Sequence, residues 1–256
     1  MTNAGWGVDF AVVAIYLFWG FFIALVLYLR REDRREGYPL EEDDRARLVA
    51  AGGFLFTASP KTFRLPLGGG KVSVPNKERD TRPIAARRMS VVTGSPMTPT
   101  GNPLVDGVGP AAYAERSRVP DQTMHGQPRM APMRIATDIS IAKGDPDPRG
   151  MPVVGTDGEV AGTVADVWVD RGEVFIRYLE VKLASGGANV MLPITMALVD
   201  KRRRRVKVDA ITAAQFADVP RLENPDQITF YEEERVASYY GGGFLYATPE
   251  RAEPLI

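Results

Sequence analysis

The chain has no cysteine and a single histidine, His125. The first absence excludes disulfides, iron–sulfur clusters, thiolate zinc sites and cysteine nucleophiles. The second excludes a multi-histidine metal site or a bis-histidine haem built by this chain alone, and it leaves no persuasive Ser–His–Asp arrangement. No charge of one sign dominates either: 32 basic and 32 acidic side chains give a net charge of zero, so no global field draws the protein to a polyanion. A dinucleotide fingerprint is missing, and Gly68-Gly69-Gly70-Lys71 lacks the GxxxxGK[ST] spacing and following helix of a phosphate loop.

Charge is also absent from one long stretch. Residues 10–29 read FAVVAIYLFWGFFIALVLYL, and at about 1.5 Å per residue they cover a hydrocarbon layer of roughly 30 Å. Asp9 precedes the run; Arg30, Arg31, Arg34 and Arg35 follow it, and no Lys or Arg stands on its N-terminal side. The positive-inside rule therefore predicts an N-terminus outside and the bulk of the chain in the cytoplasm. Trp6 and Tyr28 fall near the two interfaces that favour amphipathic rings, whereas Trp19 lies deeper. A cleaved signal peptide would need a basic start, a shorter apolar stretch and a small-residue cleavage site, and none is present. With no His, Asp, Glu or Lys inside, the span offers no ligand to a chlorophyll magnesium and no proton relay. The four arginines after it are candidates for contact with lipid headgroups.

Beyond an anchor at 1–36, residues 37–149 are expected to be mostly extended chain and turns, because 14 of the 20 prolines lie in 37–150 without helical periodicity. Such a segment buries little of itself and should lie along something else; the alternative is a disordered linker. Against a linker stand Phe54, Phe56, Phe63, Leu65, Leu67, Val72 and Val74, which alternate around Gly68–70 like a small hairpin. From 150 to 247 the texture changes to β-branched and aromatic runs broken by turn signals, predicting a small antiparallel β-barrel or tightly rolled sheet. Asp157-Gly158 suits a two-residue hairpin and Arg171-Gly172-Glu173 a tight turn. A short helix is expected over 212–217. Another should start at Thr229, capped with Glu232 three residues on, and stop at Gly241-Gly242-Gly243; residues 248–256 form a tail.

Three groups could carry chemistry. The run 201–205, KRRRR, is a solvated hairpin tip or a contact for anionic headgroups; RNA binding is disfavoured because aromatics do not interleave with the charges. His125 and nearby Asp121 pair the side-chain type that titrates near neutrality with a carboxylate, which could accept protons. Asp170 and Glu173 flank the Arg171-Gly172 turn, with Arg177 on the next strand, and matter if that turn faces a buried acceptor.

REGYPLE (35–41), TGNPLVDGVGPAAY (100–113), GMPV (150–153), VPRL (219–222) and YYGGGFLYA (239–247) follow a single N-terminal span. In that order they resemble the H subunit of the photosynthetic reaction centre of purple bacteria, over essentially the whole chain, with the region from about 150 similar to that family's PRC-barrel. The resemblance implies a place in the bacterial inner (intracytoplasmic, chromatophore) membrane with a periplasmic N-terminus. It implies L and M subunits as partners, commonly with a light-harvesting ring and in some cases a cytochrome subunit. No cofactor is expected on this chain itself. The complex would carry bacteriochlorophyll, bacteriopheophytin, carotenoid, two quinones and a non-haem iron. The implied role is to cap the L and M subunits on the cytoplasmic side and to conduct protons toward the secondary quinone. Glu173, with Asp170 beside it, matches the family's acidic position under the quinone pocket, and Arg177 belongs to the same group. Asp121 and His125 fall in the loop where the family takes up protons, although Thr123 and Gln127 replace an aspartate and a second histidine found in relatives.

Two other classes are weighed against this reading: a membrane-tethered PRC-barrel adaptor that binds protein or RNA without pigments, and a monotopic enzyme. No catalytic constellation supports the enzyme.

Overall fold

The computed structural model describes residues 9–38, 40–42, 47–49, 58–66, 69–76, 80–92 and 94–252. Trp6, Phe54, Phe56, Leu67 and Gly68 lie outside these residues. The chain divides into two compact units, Met1–Asp80 with Val92–Gly94, and Thr81–Val91 with Ser95–Ile256.

The first unit is built on α1 (Phe10–Glu32), whose N-terminus is capped by Asp9 accepting from the Ala11 N–H at 2.9 Å. No residue of α1 is buried among the described residues, and its most apolar 18-residue stretch has a mean hydropathy of 2.6. A helix apolar on every side, 23 residues long, has only lipid or other apolar helices to cover it. Two short hairpins follow, β1 (Leu40–Glu42) with β2 (Arg47–Val49), and β3 (Lys61–Arg64) with β4 (Lys71–Val74). The second is the hairpin expected around the glycines, with Phe63 paired opposite Val72. Arg35 ties the end of α1 to it, donating to the Ser59 carbonyl at 2.6 Å and the Val74 carbonyl at 3.1 Å while pairing with Glu32 at 2.7 Å.

The second unit opens with β5 (Ala86–Arg88) paired to β6 (Met97–Pro99), then a short α2 (Pro103–Asp106) and a 3-10 turn (Gly109–Ala111). Its centre is a seven-stranded sheet of β7 (Met130–Pro132), β8 (Pro152–Val154), β9 (Val160–Asp170), β10 (Phe175–Leu183), β11 (Val190–Pro193), β12 (Ala197–Asp200) and β13 (Arg205–Val208). The hydrogen-bonded path runs β11-β10-β9-β8-β13-β12, and β7 pairs with the far end of β9. Strand β9 is long enough to carry β10 along one edge and, in succession, β8 and β7 along the other. Register shifts at Ile176/Tyr178, Glu180/Val181 and Val153/Val154 mark bulges, which raise local twist and roll the sheet. The rolled, mainly antiparallel sheet is as expected, with one parallel pair, β8 with β13. Trp168, Val167, Leu179, Val181, Leu192 and Val206 are buried in its core.

One polar knot joins buried Glu180 and Asp166 to the exposed Arg134 at the edge of that core. Glu180 accepts from the Trp168 indole N–H at 2.9 Å, the Asn189 amide at 2.6 Å and the Arg134 guanidinium at 2.6 Å. Burial pushes its carboxyl up, but these three donors outweigh burial and hold it below the usual range. Arg134 also reaches Asp166 at 3.1 Å and Asp226 at 2.8 Å, so it clasps the chain after β7 to the sheet and to the 222–226 loop.

The C-terminal helix α3 (Phe230–Tyr246) starts with the expected capping box between Thr229 and Glu232. Its other end corrects the sequence expectation, since the helix runs through Gly241, Gly242 and Gly243 instead of stopping there. The glycines serve close approach. A Cβ on Gly242 would lie 2.5 Å from the Ala111 Cβ, and one on Gly243 would collide with the Ala210 carbonyl and sit 2.6 Å from Ile211 Cγ2. The short helix expected over 212–217 is a 3-10 turn, Ala214–Asp218.

Gly243→Ala should therefore lower stability by about 1–3 kcal/mol through overpacking against fixed backbone. Gly241→Ala, whose Cβ would meet only the Pro110 carbonyl at 3.6 Å, should raise it by up to about 1 kcal/mol through helix propensity. Urea unfolding of the two variants checks the opposite signs.

Candidate functional site

The turn between β9 and β10 organises the site. Asp170 ends β9 and is 2% exposed. Its Oδ1 accepts from the Gly172 N–H at 2.8 Å and the Glu173 N–H at 3.0 Å, which folds residues 171–174 into a tight loop. Val174 closes the loop at φ 55°, an unfavourable conformation for a β-branched residue that the Asp170 hydrogen bonds help to impose.

Arg129, just before β7, reaches into this loop. Its guanidinium donates to Asp170 at 2.9 Å, to Glu173 at 2.6 Å and to Asp121 at 3.4 Å. Three carboxylates from two segments thus share one cation. Hydrogen bonding to Asp170, and secondarily to Glu173, keeps the guanidinium firmly protonated. Burial pushes the Asp170 carboxyl up, yet the Arg129 guanidinium and the two backbone donors outweigh it and hold the group below the usual carboxylate range. Glu173, with its side chain 56% exposed, is the open member of the cluster.

Beside it, half-buried Glu233 in the first turn of α3 accepts from the Tyr178 hydroxyl at 3.3 Å. Burial pushes the Glu233 carboxyl up, the Tyr178 hydrogen bond and the Arg177 charge oppose it, and the weaker repulsion of Asp121 and Asp170 adds to a net rise. The strap before the cluster is laid against α3 by backbone bonds from Phe230 to Val119 (3.2 Å) and from Tyr231 to Ser117 (3.0 Å), and by Arg118 stacked 4.0 Å from the Tyr231 ring centroid.

Asp121, Asp170 and Glu173 are therefore brought together, but through Arg129, which sequence reasoning missed. Arg177 occupies the bulge between Ile176 and Tyr178, with its guanidinium 5.3 Å from the Phe175 ring, and makes no ion pair among the described residues. His125 stands exposed on the 123–127 turn, which is closed by Thr123 N–H to Gln127 O at 2.8 Å, and no hydrogen bond among the described residues joins it to Asp121. Of the arginines after the span, Arg31 donates to the Ser59 hydroxyl at 2.7 Å, Arg34 lies 5.8 Å from the Tyr38 ring, and Arg30 is exposed. No group of three or more His, Cys, Asp or Glu among the described residues could hold a metal ion. Arg129 and Glu233 had no local signal, being 41 residues before Asp170 and 55 after Tyr178.

The rolled sheet and the candidate membrane helix define a class. Residues 142–215 match the PRC-barrel domain, so this is a membrane-associated PRC-barrel protein. Residues 4–135, more than half of the chain, match the model described as photosynthetic reaction centre, H-chain N-terminal region, and the chain belongs to that family. Membership carries association with the L and M subunits, in a complex that holds pigments and quinones, and the role of a structural subunit.

Loss of the shared cation is testable. Arg129→Met leaves Asp170 buried without its counter-charge and should cost about 2–3 kcal/mol. Because the folded-state pKa of Asp170 is depressed, its contribution is present above the ordinary carboxylate range and is lost as pH falls through the folded value. Denaturation across acid pH should show a shallower acid decline in Asp170→Asn than in the parent.

Proposed function

We propose that this chain caps the L and M subunits on the cytoplasmic side and passes protons from the cytoplasm toward the secondary quinone, with the N-terminus periplasmic. The observation that carries the reading is the Asp121, Asp170 and Glu173 cluster around Arg129. A reduced quinone in a low-dielectric pocket needs protons, and titratable groups at the surface of the cap can supply them.

The residues divide the work by environment. Asp170, held ionised, is a fixed negative charge that organises the loop and attracts protons without carrying them at neutral pH. Glu173, exposed and held by one flexible contact, is the carrier nearest the acceptor. Glu233, whose carboxyl burial pushes up, holds a proton more readily than an exposed carboxylate and is suited to store one behind the carrier, with Tyr178 orienting its carboxyl. Asp121 and exposed His125 form the outer end of the path, and Arg177 adds positive charge that favours release from Glu233. Arg30, Arg31, Arg34 and Arg35 are assigned to headgroup contact, and Arg31 and Arg35 also brace the chain below the helix.

In the assembled complex, Glu173→Gln should slow quinone reduction after a second flash by about tenfold or more, as for loss of a general acid–base group, and leave primary charge separation intact. An unchanged second-flash rate across pH would sink the assignment. Glu233 is linked to stability with the opposite sign to Asp170: its raised carboxyl stabilises below the ordinary carboxylate range and loses that contribution as pH rises through the folded value. Glu233→Gln should therefore gain stability relative to the parent between mildly acid and neutral pH, read by denaturant titration of the full chain. Changing Arg30, Arg31, Arg34 and Arg35 together to Gln should lower the yield of correctly oriented complex, measured by protease protection in vesicles.

A further inference from the structure

Two hairpin tips in the sheet are built the same way and carry opposite charge. At the first, Asp170 pairs with Phe175 across a loop of residues 171–174; its carboxylate accepts from the Glu173 N–H at 3.0 Å, and Val174 is left-handed at φ 55°. At the second, Asp200 pairs with Arg205 across residues 201–204; its carboxylate accepts from the Arg203 N–H at 3.0 Å, and Arg204 is left-handed at φ 49°. The shared geometry pins both tips, so the charges of the second stand in place with little further ordering to be done on binding.

The topology aims both tips toward the same end of the sheet, the basic one near the level of Gly162 and Thr163 of β9 and set back from Asp170. Strand β9 runs antiparallel to β8, and β8 runs parallel to β13, so the start of β13 lies on the side where β9 ends. A twist of roughly 20–25° per strand step keeps them on that side.

Among the described residues the basic tip is only partly satisfied. Between Leu198 and Asp209 stand six basic side chains against two acidic ones, in a protein whose net charge is zero. Asp200 is committed to the loop backbone and, at 3.8 Å, to Arg205; Lys201 donates to the Gly144 carbonyl at 2.9 Å. Residues 201–204 are exposed, and among the described residues the guanidinium groups of Arg202, Arg203 and Arg204 have no hydrogen-bond or ion-pair partner. Leu198, beside them, is 62% exposed.

We propose that the tip at residues 201–204 docks on anionic lipid headgroups of the bilayer that holds α1, as a second, electrostatic contact of the PRC-barrel with the membrane. The orientation rests on the proposed reading in which the acidic tip faces the membrane-embedded core; the basic tip at the same end then faces the lipid surface at its flank. Charge complementarity selects the occupant. Clustered arginines on a membrane-tethered domain meet an anionic surface at short range, within a Debye length of about 8–10 Å. Their lack of interleaved aromatics disfavours single-stranded nucleic acid.

The absence of cysteine makes the test clean. Leu198→Cys in the full chain takes a single fluorophore, and the protein is placed in lipid nanodiscs with a headgroup-bound quencher, in phosphatidylcholine alone or with added phosphatidylglycerol. Quenching is expected in the anionic discs only, and it should be lost at high salt and when Lys201, Arg202, Arg203 and Arg204 are changed to Gln, on the order of fivefold in occupancy per charge removed. Replacing chloride by inorganic phosphate at equal ionic strength should leave it unchanged, separating a lipid surface from a free-phosphate site. Equal quenching in neutral discs, no quenching in either, competition by phosphate, or protection of the label only when the L and M subunits are present would each overturn the proposal. Second-flash kinetics of the Gln variant in the complex keep the two readings apart: a parental rate there, with Glu173→Gln slow, leaves the proton reading standing whatever the lipid result.

Discussion

A buried carboxylate held ionised by one guanidinium is the constraint around which the acidic site is arranged. Asp170 sits almost out of solvent at the end of the central strand, where desolvation alone would push its carboxyl up. Arg129 and two loop N–H groups reverse that outcome, and in doing so they fix three things at once: the shape of the 171–174 loop, the position of Glu173, and the attachment of the 121–129 strap to the sheet. The same loop at residues 200–205 has no equivalent of Arg129 and is held by its own aspartate. One tip is thereby integrated into a multi-segment cluster, and the other is left as a free-standing charge.

The two units answer to different solvents. In the PRC-barrel unit, apolar side chains are removed from water by the sheet's own roll and by α3, packed closely enough that glycine is required where the helix meets the backbone of residue 210. In α1 no residue is buried by the described chain, so a bilayer or neighbouring helices would have to cover its apolar surface. Family membership gives a reason for keeping both in one polypeptide: a structural subunit of the reaction centre associates with the L and M subunits.

Local sequence was a good guide wherever the determining interaction is between near neighbours. The capping box at Thr229 and Glu232, the β3–β4 hairpin and the turn at Arg171-Gly172-Glu173 are all decided within a few residues, and all were legible. The glycines at 241–243 misled for a physical reason: glycine both ends helices and permits close packing, and which applies depends on what lies opposite, here Ala111 and Ala210 from distant positions. The grouping of Arg177 with Asp170 and Glu173 was suggested by spacing along one hairpin, but a bulge at Ile176/Tyr178 sets Arg177 over Phe175 instead.

By itself the sequence determined the candidate membrane span, the class of the β domain, the chemistry excluded by missing cysteine and histidine, and the identity of two of the three clustered carboxylates as a pair. Those properties depend on composition and on periodicity between residues close in the chain, which no later folding event can change. Only the tertiary structure decided that Arg129 is their shared cation, that Asp121 joins them, that Glu233 lies behind, and that a basic loop points the same way as an acidic one. Each of these depends on strand order and register bringing together segments tens of residues apart, and that information resides in the packing of the whole domain.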